Sequence, residues 1–252
     1  MSSTMLEVGP RLAVALVVLT LVAAVVAGLG QLGPWRQIPV AAVRATLQLG
    51  AVSLLIAAIV ASLWFTALFV VAMVGTAAWT SGQRITRARR VTSALWAAVP
   101  IAGGSLPIVV GLIAGGLVPL TGIAIVPIAG ILIGGAMTAT SLAGRRALDE
   151  LESRHGEVEA ALSLGFPDRD AALEICRPSA GQALVPALDQ TRTVGLVTLP
   201  GAFVGVLLGG GSAVEAGATQ LLVLIGLLAV ESVAIVVVTE LAARARLARQ
   251  RP

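Results

Sequence analysis

Few side chains in this sequence could do chemistry, and most of those few lie in apolar surroundings. Hydrophobic residues make up 57% of the 252 positions and charged residues only 12%, where a soluble domain carries about 25%. Glu231 stands alone in a long uncharged stretch near the C-terminus. Arg44 lies inside another apolar stretch, one helical turn before Gln48, and Asp189 and Arg192 are spaced to meet on one helix face. A charge at such depth costs about 2.5–3.5 kcal/mol on insertion scales and faces a partner or a wet path. Glu231, with Asp189, therefore reads either as lining a cation path or as half of a structural Arg–carboxylate pair. Arg44, Asp189 and Arg192 read first as pairs. One His (His155) and one Cys (Cys176) exclude an intrachain disulfide and do not build a first-row metal site. Met137 is a soft ligand type but reads as a packing residue, as does Cys176, so no metal ligands are assigned. All 17 basic residues are Arg. Without a Lys the chain cannot form the P-loop that grips nucleotide phosphates, and no residue is assigned as catalytic. A pI of 11.1 without aromatic stacking surfaces does not describe a nucleic-acid binder.

The longest polar-containing segment is residues 157–178, EVEAALSLGFPDRDAALEICRP. Val158, Ala161, Leu162 and Gly165 recur at helical spacing, and Gly165 suits a left-handed stop. Pro167 and Asp168 suit the first turn of a second helix. Two short amphipathic helices meeting at a glycine are expected. Glu159, Ala160, Ala161, Gly165, Ile175 and Pro178 also fall in the register of the EAA loop, the segment by which ABC-transporter permeases engage their ATPase. Arg177 departs from the Leu of that pattern. An ordinary surface hairpin is the plainer reading of the same residues. Small residues at Ala160, Ala161 and Gly165 would allow close approach to a partner, and Glu159 would offer it a carboxylate.

The elements that position these residues are membrane spans. Residues 12–29 carry no charge and form the first; Glu7 and Arg11 before it do not make the basic start of a cleaved signal. Residues 45–83 are uncharged over about 58 Å of helix, near two bilayer cores, and divide at Ala61–Ser62 into spans at 38–60 and 63–81. Residues 91–144 divide at Gly115, Gly116 and Pro119 into spans at 93–115 and 121–143. A polar loop at about 144–188 follows, then spans at 190–209 and 217–240. The expectation is an all-α integral membrane protein of about seven transmembrane helices, one permease domain over 1–252. Arginines gather at 84–90, in the 144–188 loop and after the last span. Seven spans put all three on one side. The positive-inside rule makes that side the cytoplasm, with the N-terminus outside and the C-terminus cytoplasmic.

Residues 126–137 and 162–201 resemble the FetB-like (YbbM) ABC-transporter permease family, to which the bacterial iron-export permease belongs. Pro127, Ile128, Ala129, Gly130, Gly134, Ala136 and Met137 carry the first part. Leu162 to Gly165, Pro186, Asp189, the run Thr193 to Val197 and Leu199-Pro200-Gly201 carry the second. Arg44 and Gln48 fit as well, and the resemblance covers about 35–240. Gly135 departs from it, standing where the bacterial relative is expected to have Asn. The resemblance implies a permease subunit in the cell inner (plasma) membrane, exporting iron or another metal ion or small solute. It implies a separate cytoplasmic ATPase subunit that binds ATP and Mg, while this chain holds no cofactor. One coupling loop per chain and two ATPase subunits per transporter imply a homodimer in the lipid bilayer. An importer permease with a binding protein, and an ATP-independent carrier using Glu231, remain as alternatives.

Overall fold

The computed structural model describes residues 9–88 and 90–249. Glu7, Arg89 and Arg251, counted in the charge pattern above, lie outside the described residues. The chain divides into two compact units, Met1–Ala58 and Ile59–Pro252. The first holds α1 (Pro10–Leu29) and most of α2 (Gln37–Ala61). Their side chains are almost all exposed and apolar, as suits helices whose solvent is lipid. Between them Trp35 lies under the Arg36 guanidinium, 5.1 Å from ring centroid to Cζ.

The second unit continues through α3 (Leu63–Thr86), α4 (Val91–Ala114) and α5 (Gly122–Ser153), then two short helices, α6 (His155–Ser163) and α7 (Asp168–Gly181). A 3-10 turn leads into α8 (Val185–Thr193), and α9 (Gly201–Leu208) and α10 (Ala213–Ala243) close the chain. Six helices among the described residues, α1 to α5 and α10, are long and apolar enough to cross a membrane. The break after Ala61 falls where the charge-free stretch was divided: Ser62 is extended (φ −141°) and starts α3.

At the centre is α5, with α3, α4, α7 and α10 around it. Its buried stripe is small: Ala129, Ala136, Ala139, Ala143 and Ala147 are essentially inaccessible. Apolar burial does little to join helices in lipid, so they associate by close packing and hydrogen bonds, which small residues permit. Ser81 of α3 and Ser141 of α5 share a hydrogen bond of 2.8 Å in this core. A Cβ at Gly82 of α3 would come within 2.7 Å of the Ser93 backbone on α4, and one at Gly104 of α4 within 2.9 Å of the Val230 carbonyl oxygen on α10. Both glycines let a neighbouring helix touch the backbone.

The segment expected as an unbroken span at 190–209 is discontinuous. α8 stops at Thr193, residues 194–200 follow an irregular path with Gly195 at φ +80°, and α9 starts only at Gly201. The physical reason is in the residues. Gly195 takes a left-handed turn, and Pro200, with no N–H to donate, sits as N-cap of a new helix. α7 is tied to α10 near its C-terminal end by an Arg169–Glu240 ion pair, and α10 starts about 40 Å from that point at its other end. The rest of α7, the 3-10 turn, α8, the irregular segment and α9 connect the two. Hydropathy read this stretch as a seventh span; six helices among the described residues are long and apolar enough to cross, and this stretch is not one of them.

α5 and α10, at 32 and 31 residues, run past the expected spans of 121–143 and 217–240. The first ten residues of the expected 144–188 loop are thus the end of α5. The arginine-rich ends lie together. Arg87 reaches Asp149 (3.9 Å), and Arg249 binds Asp149 (2.6 Å) and Glu152 (3.0 Å). Arg246 covers Trp96 at 5.4 Å. After α10 the chain turns at Ala245 (φ +54°) and buries Leu247.

Candidate functional site

The hairpin forms with the bounds its breakers set. α6 ends at Ser163, Gly165 takes φ +89°, and Pro167 caps α7 at Asp168. Open space surrounds Gly165, so its left-handed backbone, and no steric contact, is what requires glycine. α7 turns Ala171, Ala172, Leu173, Ile175, Cys176 and Ala180 inward and seats on α5 and α10. α6 buries none of its residues. A cavity of about 650 Å³, lined by Leu148, Leu151, Val158 and Leu247 among others, lies beneath it.

This sorts the six residues read as a coupling motif. Glu159, Ala160 and Gly165 are exposed and Ala161 half-buried, on the outer helix and apex. Ile175 is buried and anchors the inner helix, where Pro178 is exposed. Glu159 Oε1 lies 3.3 Å from His155 Nδ1. Arg154 hydrogen-bonds Glu157 at the start of α6, which holds the Glu157 carboxyl below its ordinary value. At the apex Leu162, Leu164 and Phe166 are exposed, a small apolar knob on an otherwise polar loop. Burial pushes the Cys176 thiol up to about 11, which supports its reading as a packing residue.

Reading the sequence missed how the hairpin is fastened. Arg169, in the first turn of α7, donates from Nε and Nη2 to the two carboxylate oxygens of Glu240 on α10, at 2.5 and 2.8 Å. Arg244 also donates to Glu240 Oε1 at 2.6 Å. The Glu240 hydrogen bond raises the Arg169 pKa above its ordinary value. A bidentate pair fixes orientation as well as distance, and so sets how α7 sits on α10. The Glu240–Arg244 half was legible as an i,i+4 pair; Arg169, 71 residues away, gave no local signal.

Further along α10, Glu231 is half-buried against α5. A Cβ at Gly135 would lie 3.0 Å from its Oε1 and would overlap the Leu227 side chain. Among the described residues no hydrogen bond or ion pair reaches Glu231. Asp189 and Arg192 do pair on α8, at 3.6 Å and both exposed. Arg44 and Gln48 are exposed along α2. The structure thus brings together the hairpin residues, and pairs Asp189 with Arg192. Among the described residues no cluster of His, Cys, Asp or Glu could hold a metal ion.

Six helices long and apolar enough to cross a membrane, and a hairpin tied to α10, define a multi-pass membrane protein. Comparison with known sequences gives the family: the chain belongs to UPF0014, described as "Uncharacterised protein family (UPF0014)", which matches residues 11–247. It is 32% identical over 172 residues to the UPF0014 membrane protein STAR2 of Oryza sativa subsp. japonica, covering 67% of this chain and 59% of that protein. It is 38% identical over 89 residues to the protein ALUMINUM SENSITIVE 3 of Arabidopsis thaliana, covering 35% of this chain and 33% of that one. It is 29% identical over 172 residues to the probable iron export permease protein FetB of Escherichia coli (strain K12), covering 68% of this chain and 66% of that one. The chain thus spans less than two thirds of each relative. No solved structure matches it. The FetB-like resemblance read from the sequence holds.

Proposed function

We propose that this chain is the membrane-spanning permease subunit of an ABC transporter, and that it works as a homodimer with a separate ATPase that binds ATP and Mg. The observation that carries this reading is the α6–α7 hairpin. Its inner helix is packed on α5 and α10, while its outer helix and apex leave small and apolar residues exposed. It stands at the end of the molecule where the arginines gather, which the positive-inside rule assigns to the cytoplasm of a cell whose inner membrane the chain would span. Glu159, Ala160, Ala161 and Gly165 would meet the ATPase. Ile175 and Pro178 would belong to the helix that carries the movement inward, and the cavity under α6 leaves room for it. The bidentate Arg169–Glu240 pair would pass the movement to α10. The cargo class favoured is iron or another metal ion or small solute moving outward, because one relative is named as a probable iron export permease.

Glu231 is the pathway group on this reading. It is a carboxylate within a span, without a partner among the described residues, held against the bare backbone of Gly135. A charge so placed marks an ion path more often than a lipid-facing surface.

The test is to purify the chain with a cytoplasmic ABC-type ATPase from the same cell and measure metal-stimulated ATP turnover in liposomes. The expected result is turnover that needs both proteins, a crosslink from Ala161→Cys to the ATPase, and loss of metal movement in Glu231→Gln with the complex intact. Undiminished cargo movement without ATP or the ATPase would overturn the proposal.

A further inference from the structure

The broken segment presents a surface that lipid cannot cover. Phe203 N–H at the start of α9 donates to Gln220 Oε1 of α10 at 3.2 Å. Gln220 lies seven residues into that helix, about 10 Å from its start, so the break lies within the apolar length of α10. Inside the break Gly195 N–H donates to Thr198 O (2.9 Å), and the N–H groups of Leu196 and Val197 donate to Thr193 O (3.3 and 3.0 Å). No hydrogen bond among the described residues reaches the carbonyls of Val194, Gly195, Leu196 and Val197, or uses the Thr198 hydroxyl. Irregular backbone at membrane depth survives only where protein buries it or water fills the space beside it.

The side chains favour protein. Leu196 is 91% exposed, Val197 77% and Leu199 59%, and three protruding aliphatic groups are a poor wall for water. Beside them lies an apolar cavity of about 260 Å³ lined by Val194, Gly195, Leu199, Pro200, Phe203 and Gln220, among others. Knob and socket therefore sit next to each other on one patch, as do unpaired carbonyls and an unused hydroxyl donor. A surface with both halves of a contact is what a twofold, self-matching interface requires.

We infer that a second copy of this chain seats on the break. Leu196 of each copy enters the socket of the other, and the Thr198 hydroxyl of each donates to the open carbonyls opposite. The inference rests on the two-copy permease proposed above and assigns the face by which the copies meet. It also makes a transport path between copies run along the interrupted segment.

Cysteine crosslinking tests it, because Cys176 is the chain's one cysteine and is buried. Leu196→Cys in one tagged copy and Leu199→Cys, on the socket wall, in the other, each in a Cys176→Ala chain, replace exposed side chains. Two differently tagged copies are expressed together and oxidised in native membranes. The expected result is a shift of the chain to a disulfide-linked dimer carrying both tags, with no shift for Val236→Cys on the exposed face of α10. Monomer after oxidation, with a dimer still measured by light scattering, would overturn this interface and leave the two-copy permease standing. A monomer by light scattering overturns both. Crosslinking to a polypeptide of another mass, or fast labelling of Leu196→Cys by a membrane-impermeant maleimide, overturns the inference as well.

Discussion

Gly103 and Gly104 are adjacent on α4 and differ in one respect, which isolates the contact that holds α10. A Cβ on Gly103 meets nothing within 4 Å, whereas one on Gly104 comes within 2.9 Å of the Val230 carbonyl oxygen. Both replacements by Ala gain the same helix propensity, up to about 1 kcal/mol. Gly104→Ala alone must push α10 away, because the atom it meets is backbone and cannot rotate aside. Overpacking of this kind costs roughly 1–3 kcal/mol. The two variants should therefore differ by that amount, with Gly103→Ala at or above the parent and Gly104→Ala below it. At about 2–4 °C per kcal/mol for a chain of this size, the gap in melting temperature should be roughly 2–12 °C. Thermal unfolding of the purified protein in one detergent measures it. Equal melting temperatures would refute the close crossing of α4 and α10.

Four further outcomes follow from the hairpin. Gly165→Ala should cost about 1–2 kcal/mol locally, because the left-handed backbone resists a Cβ. Gly165→Trp should insert normally by membrane fractionation yet lose ATP-driven transport, and normal transport by it would count against the coupling role. Arg169→Ala removes both hydrogen bonds to Glu240, so amide deuterium exchange should rise across α7 while that of central α5 stays unchanged. Cys176 should resist maleimide at pH 7.5 in the folded chain, since burial pushes its thiol up to about 11. The folded chain keeps this proton where an unfolded thiol, with a pKa of about 8.5, gives it up. Its contribution to stability is thus fully present below about pH 8.5 and fades as pH rises toward 11. Labelling as fast as in denaturant would contradict the burial.

What the sequence made legible was local. Gly165 and Pro167 act on their own backbone, so the ends of α6 and α7 could be placed from residue types alone. The division at Ala61–Ser62 came from length, since no single span fills about 58 Å. Residues 190–209 were misleading for a physical reason: hydropathy sums side chains and ignores the path of the backbone. Val194, Leu196, Val197 and Leu199 are as apolar as any span, yet Gly195 turns left and Pro200 starts a new helix. The Arg169–Glu240 pair was hidden because its halves are joined by folding and not by spacing. Glu231 could be singled out as a charge in apolar surroundings, but its neighbour Gly135 could not, because helix facing is set by packing.

The stretch from Ala245 to Arg249 doubles back after α10, sinks Leu247, and clips to Trp96, Asp149 and Glu152. A fluorophore appended beyond it would therefore be moored to the footing of α4 and α5 and would not drift on a free thread. If those footings part during a transport cycle, the clip must stretch or let go. Such a label would then report each stroke as a change in brightness or anisotropy, with no probe placed inside the membrane.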